Sequence, residues 1–140
     1  MIAVDTGFLF ALIDKSDAWH ARAVAALPTE SEGWITTWPV LTEATHLMNR
    51  RLGTRFAPIL MDEVADGGLL VWDIPPDQIR RIPSMMQRNK SLPMDLADAS
   101  LVLLAEHLGH GRILTTDERD FGSYRWKSRQ PFDNLLAKLP

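Results

Sequence analysis

Short apolar runs alternate with helix-patterned segments along the whole chain, and that alternation restricts the fold more than any other feature. Met1-Ile2-Ala3-Val4 is the first run and Trp34-Ile35-Thr36-Thr37 the second; Leu69-Leu70-Val71-Trp72-Asp73-Ile74 and Arg112-Ile113-Leu114-Thr115-Thr116 follow. The third is apolar almost throughout, as a strand covered on both faces should be. Strands separated by helices join side by side through crossovers. The expected architecture is therefore a three-layer α/β/α sandwich around a central parallel sheet. A fifth strand is placed near Gln130 to Phe132. The 140 residues, 46% of them hydrophobic, suffice for one domain with a real core and are too few for two typical ones. Residues 1–140 are read as a single domain.

Between the strands, caps and breakers set the helices. Thr6 is placed as the cap of a helix over Gly7 to Ile13. Asp17 is placed as the cap of the next, with Trp19, Val24 and Leu27 along its apolar side. Pro28 to Gly33 reads as a loop. Pro39 opens a helix to about Leu52 with Val40, Ala44, Leu47 and Met48 in one stripe, and Thr54 to Ala65 continues helical until Gly67-Gly68. Asp77 starts a helix towards Asn89 that Pro83 must kink or split. Pro93 suits a first helical turn, and Gly109 and Gly111 an exit, which predicts a helix over 93–108.

Acids stand at particular places in this frame. Asp5 follows the first strand and Asp117 the fourth, at the carboxyl ends where open α/β sheets place ligands. Asp95 and Asp98 share one face near a helix start, where the positive end of the helix dipole favours negative charge. Glu43 lies one turn into its helix, beside the Val40/Ala44/Leu47 stripe. Carboxylates gathered at one sheet edge repel one another unless cations neutralise them. Oxygen-only ligation, without histidine or thiolate, suits Mg²⁺ or Mn²⁺. A cation of that kind can activate water against a phosphodiester.

Composition closes other routes. The chain has no cysteine, which excludes disulfides, thiolate zinc sites and a cysteine nucleophile. No run is long and apolar enough for a membrane span and no leader is evident, so a cytoplasmic protein is expected. The net charge of −3 argues against a general electrostatic grip on nucleic acid. Yet Arg112, Arg119, Arg125, Lys127 and Arg129 crowd the last third, and cations facing four of these carboxylates would leave no obstacle to a polyanion.

Val4-Asp5-Thr6, Leu41-Thr42-Glu43, Leu96-Ala97-Asp98-Ala99 and Leu114-Thr115-Thr116-Asp117, with Arg119-Asp120-Phe121 behind, occur in an order and spacing that resembles the PIN-domain family. Within it, the chain is similar to the VapC-like toxins of toxin–antitoxin pairs. The resemblance implies that Asp5, Glu43, Asp98 and Asp117 form the acidic, metal-binding and catalytic cluster, with Thr6 and Thr115 as polar supports. It also implies strand order 3-2-1-4-5, Mg²⁺- or Mn²⁺-dependent endoribonuclease activity on RNA, a homodimer, and inhibition by a small antitoxin protein. Asp95 falls outside the four and reads as an outer-shell or dipole-pairing residue.

Competing readings stay open at several positions. Aspartates at strand ends often serve turns, and Asp120 reads as the cap of a short turn through Phe121. The arginines at 119, 125 and 129 either hold phosphates or pair with Asp120 and Asp133 on a solvated surface. His20, His46, His107 and His110 lack ligand spacing and read as exposed. Trp38, just before the Glu43 helix, is the best base-stacking candidate among the tryptophans. The helices from Val40 to Leu60 either present a dimer or antitoxin groove or pack internally. Opposite the nuclease stands a non-catalytic PIN-fold binding module acting through a protein partner. A haloacid-dehalogenase-like phosphatase is disfavoured, because Asp5-Thr6-Gly7 lacks the second aspartate two positions on.

Overall fold

The computed structural model describes residues 1–28 and 31–140. Its elements are β1 (Ile2–Val4), α1 (Thr6–Ile13), α2 (His20–Ala26), β2 (Trp34–Thr37), α3 (Trp38–Leu52), α4 (Phe56–Ala65), β3 (Leu69–Trp72) and α5 (Pro76–Ile79). They continue with α6 (Ile82–Arg88), α7 (Leu96–Leu108), β4 (Arg112–Leu114), α8 (Glu118–Ser123), β5 (Arg125–Trp126), β6 (Gln130–Pro131), β7 (Asp133–Asn134) and a 3-10 turn, Leu136–Lys138. The loop expected over Pro28 to Gly33 includes Thr29 and Glu30, which lie outside the described residues.

Five strands form one sheet in the order β3-β2-β1-β4-β7, with every neighbouring pair parallel. All three residues of β1 are buried, so the central strand has both faces covered, as its unbroken apolar sequence requires. The expected α/β/α class and the 3-2-1-4 order hold; the fifth strand is displaced. Gln130–Pro131 pairs antiparallel with Arg125–Trp126 in a separate ribbon. The sheet resumes only beyond Pro131, whose ring nitrogen has no N–H to donate. There the N–H groups of Asp133 and Leu135 donate to the carbonyls of Gly111 and Ile113, at 2.8 and 2.9 Å.

The helix boundaries shift for reasons of capping. Asp5, not Thr6, caps α1, its Oδ1 accepting the Thr6 N–H at 2.7 Å. α7 begins at Leu96 rather than Pro93, because Asp95 and Asp98 close a reciprocal capping box. It ends at Gly109, which holds a left-handed φ of 78°. Pro83 splits the expected helix by opening α6 in its first turn, where the missing N–H is harmless. Along α2 the apolar pattern misleads, since Val24 and Leu27 face solvent and Ala23 and Ala26 are buried.

Val40, Leu41, Ala44 and Met48 of α3 are buried, as is Leu60 of α4. α3 packs against α1, α4 and α7, so most of the Val40 to Leu60 stripe is internal, with Ile59 and Met61 exposed. The core continues through Phe8, Leu101, Leu103, Leu104, Ile113 and Leu114. Among the described residues, no helix is long and apolar enough to cross a membrane.

Candidate active site

From β1 the chain moves outward to β2 and β3, then returns to the other side of β1 to lay down β4. The reversal leaves a crevice between the carboxyl ends of β1 and β4, the place where open α/β sheets bind ligands. Asp5 stands directly at the end of β1, its N–H bonded to the Leu114 carbonyl at 3.1 Å, and Asp117 lies three residues past β4. α3 and α7 bring Glu43 and Asp98 to the same edge. α7 is tied to the end of β2 by a 2.6 Å hydrogen bond between the Thr37 and Ser100 hydroxyls, both buried.

Threonine hydroxyls organise the acids at this edge. Thr115 Oγ1 donates to Asp5 Oδ2 at 2.8 Å and accepts the Asp117 N–H at 3.0 Å, linking the two strand-end acids through one side chain. Its backbone is clamped by Asn134 of β7, which accepts the Thr115 N–H at 3.3 Å and donates to the Thr115 carbonyl at 3.0 Å. Thr6 donates to the Val40 carbonyl at 3.3 Å, joining α1 to the start of α3, and its hydroxyl lies beside Glu43. Gly7 lets α1 approach the segment that follows β4: a Cβ there would drive into the Thr116 hydroxyl and lie 3.3 Å from Thr116 Cβ.

The acids feel one another. Burial raises Asp5 from 3.8 to about 6, and the charges of Asp117 and Asp95 push in the same direction against hydrogen bonds from Thr115 and Thr6. Glu43 is raised to about 6, by desolvation first and then by Asp95 and Asp5. Asp98 is pushed up to about 7, by desolvation, then Asp95, with Asp5 adding to it. Burial also raises Asp117, opposed by the Asp120 N–H that its carboxylate accepts. The structure thus brings Asp5, Glu43, Asp98 and Asp117 to one sheet edge. Among the described residues, however, no three histidines or acids stand close enough to hold one ion between them.

One residue of the site goes unannounced by sequence, and another does more than dipole pairing. Asp95 caps α7 as its position near a helix start suggests, yet it also bears directly on Glu43, Asp98 and Asp5. Tyr124, fully buried, donates its phenol to Asp98 Oδ2 at 3.0 Å. Asp98 Oδ2 accepts the Asp95 N–H as well, at 3.3 Å, so one carboxylate oxygen is held from two sides. Burial and the neighbouring Asp98 raise the Tyr124 pKa, keeping the phenol a donor. Tyr124 carries no motif. Its only sequence signal is a phenol that must find a partner once buried.

Other candidates turn out to be occupied. Asp120 does not cap the turn through Phe121; Asp117 does, accepting the Asp120 N–H at 2.9 Å. Arg125 is exposed, and its Nη1 donates to the carbonyls of Gly122, Ser123 and Tyr124, which closes the end of α8. Arg119 extends into solvent with Asp120 at 3.4 Å, and Arg129 is exposed. His20 and His110 are half-buried rather than exposed: His20 bonds the Ala11 carbonyl, and His110 meets Arg112. His107 stacks on Trp72.

The model of the PIN domain family matches residues 2–127. Ribonuclease VapC26 of Mycobacterium tuberculosis (strain ATCC 25618 / H37Rv) is 24% identical over 122 residues, spanning 87% of this chain and 90% of that one. The crystal structure of Mycobacterium tuberculosis VapC20, named a Sarcin-Ricin loop cleaving toxin, superposes with a TM-score of 0.78 at 24% identity. It covers 85% of this chain and 92% of that one. A family match that runs from β1 through β5 takes in every strand end and helix start that carries an acid of the site, and the chain belongs to the PIN domain family.

Proposed function

We propose that the chain, as a single PIN domain over residues 1–140, is a metal-dependent endoribonuclease of the VapC type and the toxin of a toxin–antitoxin pair. The observation that carries the reading is the gathering of carboxylates at the switch point of the sheet: Asp95 and Asp5 act on both Glu43 and Asp98, and Asp117 acts on Asp5, to which Thr115 links it. Such a crowd is costly unless countercharged. All its donors are oxygens, which fits Mg²⁺ or Mn²⁺. Among the described residues no three acids close on one point, so an ion held here would keep several waters and take one or two carboxylates directly. When bound, the ion would polarise the phosphodiester and lower the pKa of attacking water.

The chain's own residues do the positioning. Asp5 presents lone pairs left over from its bonds to Thr6 and Thr115, since a carboxylate accepts at roughly four sites. Tyr124 and the Asp95 N–H fix Asp98 Oδ2, which leaves Oδ1 of Asp98 for a ligand. No protein nucleophile is required. The assignment of Asp5, Glu43, Asp98 and Asp117 as the catalytic, metal-holding set is part of the proposal, as are a homodimeric state and a small antitoxin partner.

The rival reading is a non-catalytic PIN-fold binding module acting through a protein partner. The two readings separate in one assay: chelator-treated protein, a quenched fluorescent single-stranded RNA, and a titration of Mg²⁺ or Mn²⁺. Cleavage that depends on the ion and disappears in Asp98→Asn and Asp5→Asn, with circular dichroism unchanged, is the expected result. Full-rate cleavage by metal-stripped protein would contradict the mechanism, and no cleavage at any ion concentration would leave the binding module.

A further inference from the structure

Five tryptophans are present, and four have a ring or a cation for company. Trp34 meets Phe8 edge-on at 5.1 Å, Trp72 stacks on His107, and Arg22 and Lys127 lie over Trp19 and Trp126. Trp38, the first residue of α3, is 46% exposed, and its indole has no such partner among the described residues. It borders an open groove of about 530 Å³ whose other walls include Pro39, Glu43, Asp95 and Leu96. Leu96 opens α7 as Trp38 opens α3, and is 48% exposed.

We propose that this groove is a nucleobase subsite, in which an unstacked base beside the scissile phosphodiester lies on the Trp38 indole with Leu96 at its edge. The proposal rests on the ribonuclease reading and specifies its substrate as unpaired RNA. Two of the groove's walls, Glu43 and Asp95, belong to the acid cluster itself, so the groove is continuous with the site. Thr42 and His46 also line the groove, but the two acids, Glu43 and Asp95, outnumber its one histidine and repel a phosphate, which leaves the uncharged base as the part of a nucleotide that belongs there. The exposed apolar surface is one indole face, one leucine and part of the Pro39 ring. That is far short of the roughly 800 Å² per partner that a stable protein interface buries, whereas base stacking needs only one ring face. In duplex RNA that face of the base is already covered, so the groove discriminates against paired substrate.

The test measures binding in an Asp98→Asn background, with a short unstructured fluorescent RNA, the same strand made abasic, and the same strand in a duplex. Loss of one stacked base is worth roughly 1–3 kcal/mol, so Trp38→Ala should weaken single-strand binding about 5- to 150-fold. Trp38→Phe should retain most of the affinity, and neither abasic nor duplex RNA should respond to the substitution. Equal affinity for the single strand with and without the Trp38→Ala substitution, no RNA binding at all, or an equal loss with abasic RNA would overturn the subsite. Conversion of a dimer to a monomer by Trp38→Ala in light scattering would assign the groove to a second copy instead. Cleavage of the same RNA by the unsubstituted chain with Mn²⁺ is followed in parallel. Cleavage without Trp38 dependence sinks the subsite alone, whereas Trp38-dependent binding without cleavage sinks only the nuclease reading.

Discussion

Replacing Asp5 with asparagine should make the metal-free protein more stable in alkaline solution and less stable in acid. Asp5 is 8% exposed, and its folded-state pKa of about 6 stands above the ordinary 3.8. A raised carboxyl pKa means that the fold prefers the protonated form. Stability from this group is fully present below 3.8 and is lost as pH rises through about 6. The loss amounts to about 3 kcal/mol at pH 8, at 1.36 kcal/mol per pKa unit. Asparagine removes the charge while its carbonyl can still accept the Thr6 N–H. Its amide then faces the Thr115 hydroxyl, which loses its acceptor, at a cost of about 1 kcal/mol. The net expectation is a gain of about 2 kcal/mol at pH 8, or roughly 6–8 °C in Tm for a chain of this length, and a loss of about 1 kcal/mol at pH 4. Thermal unfolding by circular dichroism in chelator, for both proteins from pH 4 to 8, reads this as crossing Tm curves. Parallel curves, with the same pH slope in both proteins, would refute the claim that a desolvated Asp5 carboxylate strains the fold.

Three further substitutions probe the surroundings. Tyr124→Phe removes the donor that holds Asp98 Oδ2 and should weaken Mn²⁺ binding about 10- to 100-fold with the fold intact; calorimetric titration measures it, and unchanged affinity would make the phenol a mere core filler. Gly7→Ala forces a methyl into the Thr116 side chain and should cost about 1–3 kcal/mol, read as a lower denaturant midpoint. Asp95→Asn keeps a good N-cap while Asp95→Ala does not, so in chelator at pH 8 the alanine variant should be less stable than the asparagine one by about 1 kcal/mol. Equal stability of the two would deny the cap its role.

The sheet was legible because β1 is an unbroken apolar run buried on both faces, and β2 and β4 carry buried apolar residues in short β-rich runs. β3 departs from its pattern: its run is apolar almost throughout, yet it is an edge strand with Leu70 exposed rather than covered on both faces. β7 is two residues long. No period can show in two residues, and the apolar signal nearby, at Phe132, belongs to a ring contact with Phe121 instead. The α7 start was misplaced because Pro93 is an acceptable first-turn residue on its own, while the reciprocal bonds of Asp95 and Asp98 settle the boundary further on. Asp5 and Asp117 could be marked from position alone, each just past an apolar run. Tyr124 could not: the phenol and Asp98 are 26 residues apart, and only the turn through α8 brings them together.

The geometry also explains how a fold tolerates so many like charges before any ion arrives. Asp5, Asp95 and Asp117 each cap a helix, and each accepts a backbone N–H that would otherwise go unpaired at a helix start. The positive ends of α1, α7 and α8 therefore face the carboxylates and offset part of their repulsion. Capping ties up only some of a carboxylate's lone pairs, so the remainder stay available to a ligand. The arrangement is thus stable enough to fold and still short of neutral, since Asp5, Glu43 and Asp98 all retain raised pKa values. That residual charge is what would draw a divalent ion to the switch point. It follows that alanine is the wrong probe for these acids: it deletes a cap and a charge together, two changes with opposite effects on stability, whereas the amide isosteres separate them.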